Sequence, residues 1–181
     1  VPVLIVAGAL GFWLQGGRYA ATEELVAFAR AMAGIGGLYA SHMRNEGDGL
    51  LDAVAETIQV GEAAGVPVQI SHHKATGPSA WGLVNDSLAL IDAARGRGVD
   101  VSADQYPYTA GSTSLFAVLQ NFEEGTAGVG ATDWSKVVLA SVPGHPEWEG
   151  ESLADRAAAA GTGAPQVARR IVDDVGYGAI V

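Results

Sequence analysis

The 181-residue chain has no cysteine. It can hold no disulfide framework, and any metal it binds must be gripped by histidine and carboxylate, or by groups from elsewhere. That composition is compatible with a reducing cytoplasm, the expected location. Basic residues are scarce too: 10 Lys and Arg against 20 Asp and Glu leave a formal charge of -10. Such a balance excludes the clustered positive surface that nucleic acids and anionic membranes require. Nor is there a long hydrophobic run. The first apolar stretch, Val3 to Leu14, is broken by Gly8 and Gly11, has no basic residues before it and is too short to span a bilayer, so no targeting or membrane segment is expected. Apolar residues are plentiful instead, at 49%, enough to bury the core of one ordinary domain. The chain opens on an apolar stretch and closes on Ala179-Ile180-Val181. Natural termini are usually polar and loose, so a piece of a longer protein is expected.

Regular periodicity begins at Thr22, which is placed to cap a helix carrying Glu23 and Glu24 in its first turn and Leu25, Val26, Phe28 and Met32 at helical spacing. Gly36-Gly37 ends it, and a strand is expected from Gly37 to His42. A second helix reads from about Gly49 to Ala64, with Leu50, Leu51, Val54, Ile58 and Gly61 on one face and Gly65 as C-terminal cap. The strand Val66 to His72, a third helix from about Val84 to Arg97 and the strand Val99 to Ala103 follow. Strands alternating with amphipathic helices imply a parallel sheet with right-handed crossovers, either doubly wound or a β/α barrel. From Thr109 to Asp133 a Gly-, Thr- and Ser-rich composition predicts a long loop or small insertion, with domain bounds of 109–135. Lys136 to Ser141 reads as a strand, Ser152-Leu153-Ala154-Asp155 as a capping box, and Leu153 to Ala160 and Ala164 to Val175 as helices before a strand-like Gly178 to Val181.

His42 and His72 each stand at the carboxyl end of an expected strand, one strand-helix unit apart, where barrels and open parallel sheets both place their sites. Two imidazoles on one rim suit a zinc whose ligands come from separate strands. The structural alternative makes His42 a hydrogen-bonded core histidine and His72 or His73 a solvated strand end. By alternation, His72 shares a face with Val68 and Ile70 while His73 points the other way. Lys74 emerges on the side of His72, where its cation would hold a substrate carboxylate; a surface lysine and a Schiff-base lysine of an aldolase-like barrel are the other readings. Tyr106 and Ser112 lie in the segments after the next strand and offer a phenol and a hydroxyl, or simple turn chemistry around Pro107.

Three segments carry a resemblance: Tyr39-Ala40-Ser41-His42-Met43-Arg44-Asn45-Glu46, Pro67-Val68-Gln69-Ile70-Ser71-His72-His73-Lys74, and Asp104-Gln105-Tyr106-Pro107-Tyr108-Thr109-Ala110-Gly111-Ser112-Thr113. In order and spacing they resemble the N-acyl-D-amino-acid deacylases of the amidohydrolase superfamily. Ala140 to Gly150 is similar to the same family, so the likeness runs from about Gly17 onward. The resemblance implies a partial (β/α)8 TIM-like barrel, with zinc at the strand ends and hydrolysis of the amide of a small-molecule N-acyl-D-amino acid. It implies His42 and His72 as zinc ligands and Lys74, Tyr106 and Ser112 as the grip on the substrate carboxylate. His73 and His145 match no metal ligand.

The family's His-x-His pair, its cysteine ligand and its proton-shuttling aspartate have no counterpart in this sequence, so no catalytic residue is expected here and the shuttle is expected downstream. Gly8 to Arg18 resembles a shortened form of the family's strand and loop. The chain is expected to supply about the second half of a barrel of roughly 250 residues, and by itself to bind zinc weakly and turn over nothing. Two rival functions share part of this pattern: a cyclic-amide hydrolase of the dihydroorotase or hydantoinase kind, and a non-catalytic α/β domain with structural histidines.

Overall fold

The computed structural model describes residues 19–124 and 132–181, so the stretches Val3 to Leu14 and Gly8 to Arg18 lie outside the described residues. The chain divides into two compact units, Val1–Pro107 and Tyr108–Val181.

In the first unit, helices α1 (Thr22–Ala33), α2 (Leu50–Ala64) and α3 (Leu83–Gly96) alternate with strands β1 (Tyr39–Ser41), β2 (Val68–Ile70) and β3 (Val101–Ala103). The strands form one parallel sheet in the order β1-β2-β3, with Tyr39 opposite Val68 and Val68 opposite Val101. Each strand is shorter than its apolar run, but the ladder continues past the strand ends: Ser71 donates its N–H to the Ser41 carbonyl at 2.9 Å and His73 to that of Asp104 at 2.8 Å. These bonds carry the sheet's order into the loops that bear the chemistry. α1 packs on α2 and α2 on α3. Their apolar faces, with Leu50, Val54, Ile58, Ile91 and Ala94, close over Tyr39, Val68, Ile70 and Val101 in one buried cluster.

Two local details refine the periodic reading. Thr22 does not cap α1: Ala21 holds the cap position without a side-chain bond, and the Thr22 hydroxyl donates to Glu56 Oε1 on α2 at 2.7 Å. Gly65 does end α2, at φ 70°, its N–H bonded to the Gly61 carbonyl. Gly61 itself is where helix meets sheet, since a Cβ there would stand 2.0 Å from Val68 Cγ2 and 3.1 Å from the Val66 carbonyl oxygen. Gly61→Ala is therefore expected to destabilise the unit by about 1–3 kcal/mol through overpacking, more than the roughly 1 kcal/mol that alanine's helix propensity returns. A lowered denaturant midpoint measures it; an unchanged or raised midpoint contradicts the close approach.

The second unit contains α4 (Leu115–Glu124), α5 (Leu153–Ala160) and α6 (Ala164–Val175). Part of the stretch expected to be a long loop or a small insertion is thus helical. Leu115 and Leu119, one turn apart, are both buried against Leu139, Leu153 and Ile171, and that packing overrides the surrounding turn residues. Lys136 to Ser141 is not a continuous strand: Val138 and Ser141 make isolated antiparallel bridges, to Ser152 and Ile180, so no partner runs alongside long enough to form a ladder. The capping box forms, with Ser152 Oγ accepting the Asp155 N–H at 3.1 Å and donating to Oδ2 at 2.7 Å. No helix among the described residues is long and apolar enough to cross a membrane.

Candidate functional site

The face of the sheet turned away from the helices carries Ala40, Gln69 and Ser102, the residues that alternate with the buried ones. His42, one residue past β1, continues that alternation. His72 does not follow from alternation at all. Beyond Ile70 the chain turns, and His72 is the one described non-glycine residue with positive φ, at 41°. The left-handed turn shifts the phase by a residue, reversing the face assignment that strict alternation predicted. His73 enters the helix layer, 4% exposed, its Nε2 2.8 Å from Ser87 Oγ on α3, and burial lowers its pKa. His72 swings against His42.

A left-handed residue other than glycine costs about 1–2 kcal/mol. Asp104 offsets part of this: its Oδ1 accepts the His72 N–H at 2.7 Å while its Oδ2 accepts from Gln69 Nε2 at 2.6 Å. Asp104→Ala is expected to lower stability by roughly 1.5 kcal/mol, the low end for a bond to a charged group because Asp104 is solvent-exposed, and Asp104→Asn by less, since one acceptor remains. Equal denaturation curves for wild type and Asp104→Ala would remove this carboxylate from the account.

The imidazoles meet with centroids 4.3 Å apart and planes inclined by 52°, Nδ1 of His42 facing Nε2 of His72. The pKa of His42 is lowered, by burial first and then by electrostatic repulsion from the neighbouring His72 ring, so this ring keeps its lone pair in the neutral form. Behind His72, Glu46 Oε1 stands 2.7 Å from Nδ1, although no aligned hydrogen bond reaches that oxygen, and Glu46 Oε2 is 2.5 Å from Lys74 Nζ. Burial alone would raise the Glu46 carboxyl; its contacts to His72 and Lys74 outweigh this and hold its pKa below the ordinary value. Lys74 Nζ also lies 3.0 Å from His72 Nδ1, 3.1 Å from the His72 carbonyl oxygen and 5.6 Å from the centre of the Tyr106 ring. The loops bearing these groups are pinned: Asn45 Oδ1 accepts from the N–H groups of Gly47 and Gly49, and Thr76 N–H donates to the Glu46 carbonyl.

The structure thus gathers His42, His72, Lys74 and Tyr106, and adds Glu46 and Asp104, to which the sequence reading gave no role. Both acids stand in the conspicuous segments, and a charged residue within reach of a strand-end histidine was the available signal. Ser112 is exposed and belongs to the second unit. His145, also there, stacks on Trp148 at 3.7 Å, with ring nitrogens 3.2 Å from Glu147 Oε1 and 3.4 Å from Asp174 Oδ2.

The donor set fits part of a zinc site: two facing imidazole nitrogens, one ring backed by a carboxylate. It is only part, because among the described residues no group of three or more His, Asp or Glu could hold a metal.

No protein-family model matches the sequence. An N-acyl-D-glutamate deacylase of Alcaligenes xylosoxydans xylosoxydans is 41% identical over 91% of this chain and 32% of its own length. A D-aminoacylase of the same organism is 48% identical over 53% of this chain and 20% of its own. Over its length the chain is homologous to N-acyl-D-amino-acid deacylases. A crystal structure of the N-acyl-D-glutamate deacylase from Bordetella bronchiseptica, complexed with zinc and a phosphonate inhibitor that mimics the tetrahedral intermediate, superposes with a TM-score of 0.79. Its identity is 34%, over 96% of this chain and 33% of that one. The chain therefore spans about a third of the length of the deacylases it matches.

Proposed function

We propose that this chain is the part of an N-acyl-D-amino-acid deacylase that supplies two zinc ligands and the grip on the substrate's carboxylate. The convergence of His42 Nδ1 and His72 Nε2, with the Lys74 ammonium beside them, carries the reading. The consecutive parallel strands, with helices α1 to α3 packed in series on one face, support placing them in the wall of a β/α barrel, since a doubly wound sheet has helices on both faces.

When bound, zinc polarises the amide carbonyl and makes water acidic enough to attack near neutral pH. His42 and His72 hold the metal through Nδ1 and Nε2. Lys74, fixed by Glu46 and by its own stretch of backbone, meets the carboxylate of the substrate, with Tyr106 beside it and Ser112 assigned to the same role by its place in the third segment. A fixed cation at one side of the stereocentre orients the scissile amide and discriminates the hand of the amino acid. No general base is assigned to this chain.

The test is hydrolysis by the zinc-loaded intact enzyme of N-acetyl-D-methionine and N-acetyl-D-glutamate, beside their L forms and a cyclic imide. D-selective cleavage of the linear amides is expected. Preference for the cyclic imide would replace this reading with a dihydroorotase-like one, and lack of turnover with 1:1 zinc binding absent would leave the non-catalytic α/β domain.

A further inference from the structure

The geometry points to Asp104 as a positioning residue, an inference that rests on the zinc reading above: its carboxylate holds the strained turn that brings the His72 ring to His42. Every polar group of Asp104 is spent on the end of β2. Its N–H donates to the Ile70 carbonyl at 3.1 Å, and its carbonyl accepts the His73 N–H at 2.8 Å. These two bonds extend the ladder of β2 with β3, where Ile70 lies opposite Ala103, and any residue with an N–H would make them. The other two are particular to a carboxylate. Oδ1 accepts the His72 N–H at 2.7 Å, and Oδ2 accepts from Gln69 Nε2 at 2.6 Å. One side chain thus ties the last residue of the turn to the strand that enters it.

His72 needs such a hold. With φ at 41° it occupies a region that a residue with a side chain keeps only where its surroundings over-determine it. On the far side the anchor is His73, whose ring is bonded to Ser87 Oγ in the helix layer. His73 fixes where the turn ends, and the Asp104 carboxylate fixes the twist of the residue before it. Were the φ of His72 to become negative, strict alternation would resume and its ring would leave the side of His42. A metal feels that change more than the fold does. Its ligands must be held within about 0.5 Å of their working positions. Apparent affinity also falls with the fraction of molecules that hold this arrangement before the metal arrives.

In the intact protein Asp104→Ala is expected to weaken zinc binding about 10-fold, the low end for loss of an outer partner, because both imidazoles remain. Asp104→Asn keeps an acceptor for the His72 N–H, and Gln69 can turn its amide oxygen to the new NH2 group, so affinity is expected to return to within about three-fold of wild type. Gly65→Ala is the control for stability. It strains the left-handed cap before β2, at φ 70° and with nothing within 4 Å of the new Cβ, so it should destabilise the unit and leave zinc affinity unchanged. Chelator competition measures the affinities under conditions where denaturation curves show each variant folded. The His72 amide proton of the metal-free protein reports the bond itself: the downfield shift given by a carboxylate acceptor should be lost in Asp104→Ala and kept in Gly65→Ala. Zinc affinity of Asp104→Ala within about two-fold of wild type, or an equal loss in Gly65→Ala, overturns the inference alone. Absence of zinc binding in the wild type overturns the metal reading and this inference with it, so the two failures are told apart.

Discussion

His42→Ala and His72→Ala are each expected to weaken zinc binding by more than the roughly 10- to 100-fold that follows loss of an outer partner, because a ligand itself is removed. The two rings face each other across adjacent strands, so neither has a substitute nearby among the described residues. Turnover of an N-acyl-D-amino acid should fall at least in proportion, and added zinc should restore only a part. Chelator competition on the intact protein measures the first effect and metal titration of the activity the second. Zinc affinity equal to wild type in both variants would make these structural histidines and return the chain to the non-catalytic α/β reading. The neighbouring His73→Gln serves as contrast: its ring is committed to Ser87 in the helix layer, so zinc binding should survive it.

Lys74→Ala is expected to raise KM for N-acyl-D-amino acids by roughly 10- to 150-fold, the equivalent of a charge-assisted hydrogen bond of about 1.5–3 kcal/mol. A contact made equally in ground state and transition state appears in KM, and kcat should change less. The variant also leaves Glu46 without its ammonium partner, so some loss of thermal stability should accompany it. An N-acyl amine that lacks the carboxylate provides the control, because Lys74 has nothing to grip on it. Equal KM for wild type and variant on the carboxylate substrate would show that the cation serves elsewhere. Lys74→Arg should recover part of the affinity, limited by the tight space beside His72 Nδ1 and Glu46 Oε2.

Much of the first unit was legible in its residues. The helical spacing of Leu50, Val54 and Ile58 located α2 to within a residue, and Gly65 ended it in the left-handed conformation expected of a capping glycine. His42 and His72 were legible as strand-end residues because three apolar runs alternated with helices. The second unit was harder. Its Gly, Thr and Ser content reads as loop, while α4 forms because Leu115 and Leu119 find a core assembled from Leu139, Leu153 and Ile171, distant in sequence. The strand expected at Lys136 to Ser141 failed for the converse reason: an apolar run becomes a strand only where another runs beside it, and here it meets single residues of two different segments.

Local order along the chain is what the residues alone determined: alternating strands and helices, with His42 and His72 placed at strand ends. Period and propensity act between neighbours, so they survive without any knowledge of what packs where. Which of His72 and His73 faces His42, and which acid stands behind the chosen ring, was decided by the folded chain. One positive φ breaks the alternation on which any count of faces depends, and Glu46 reaches His72 and Lys74 only because a parallel crossover sets two loops side by side.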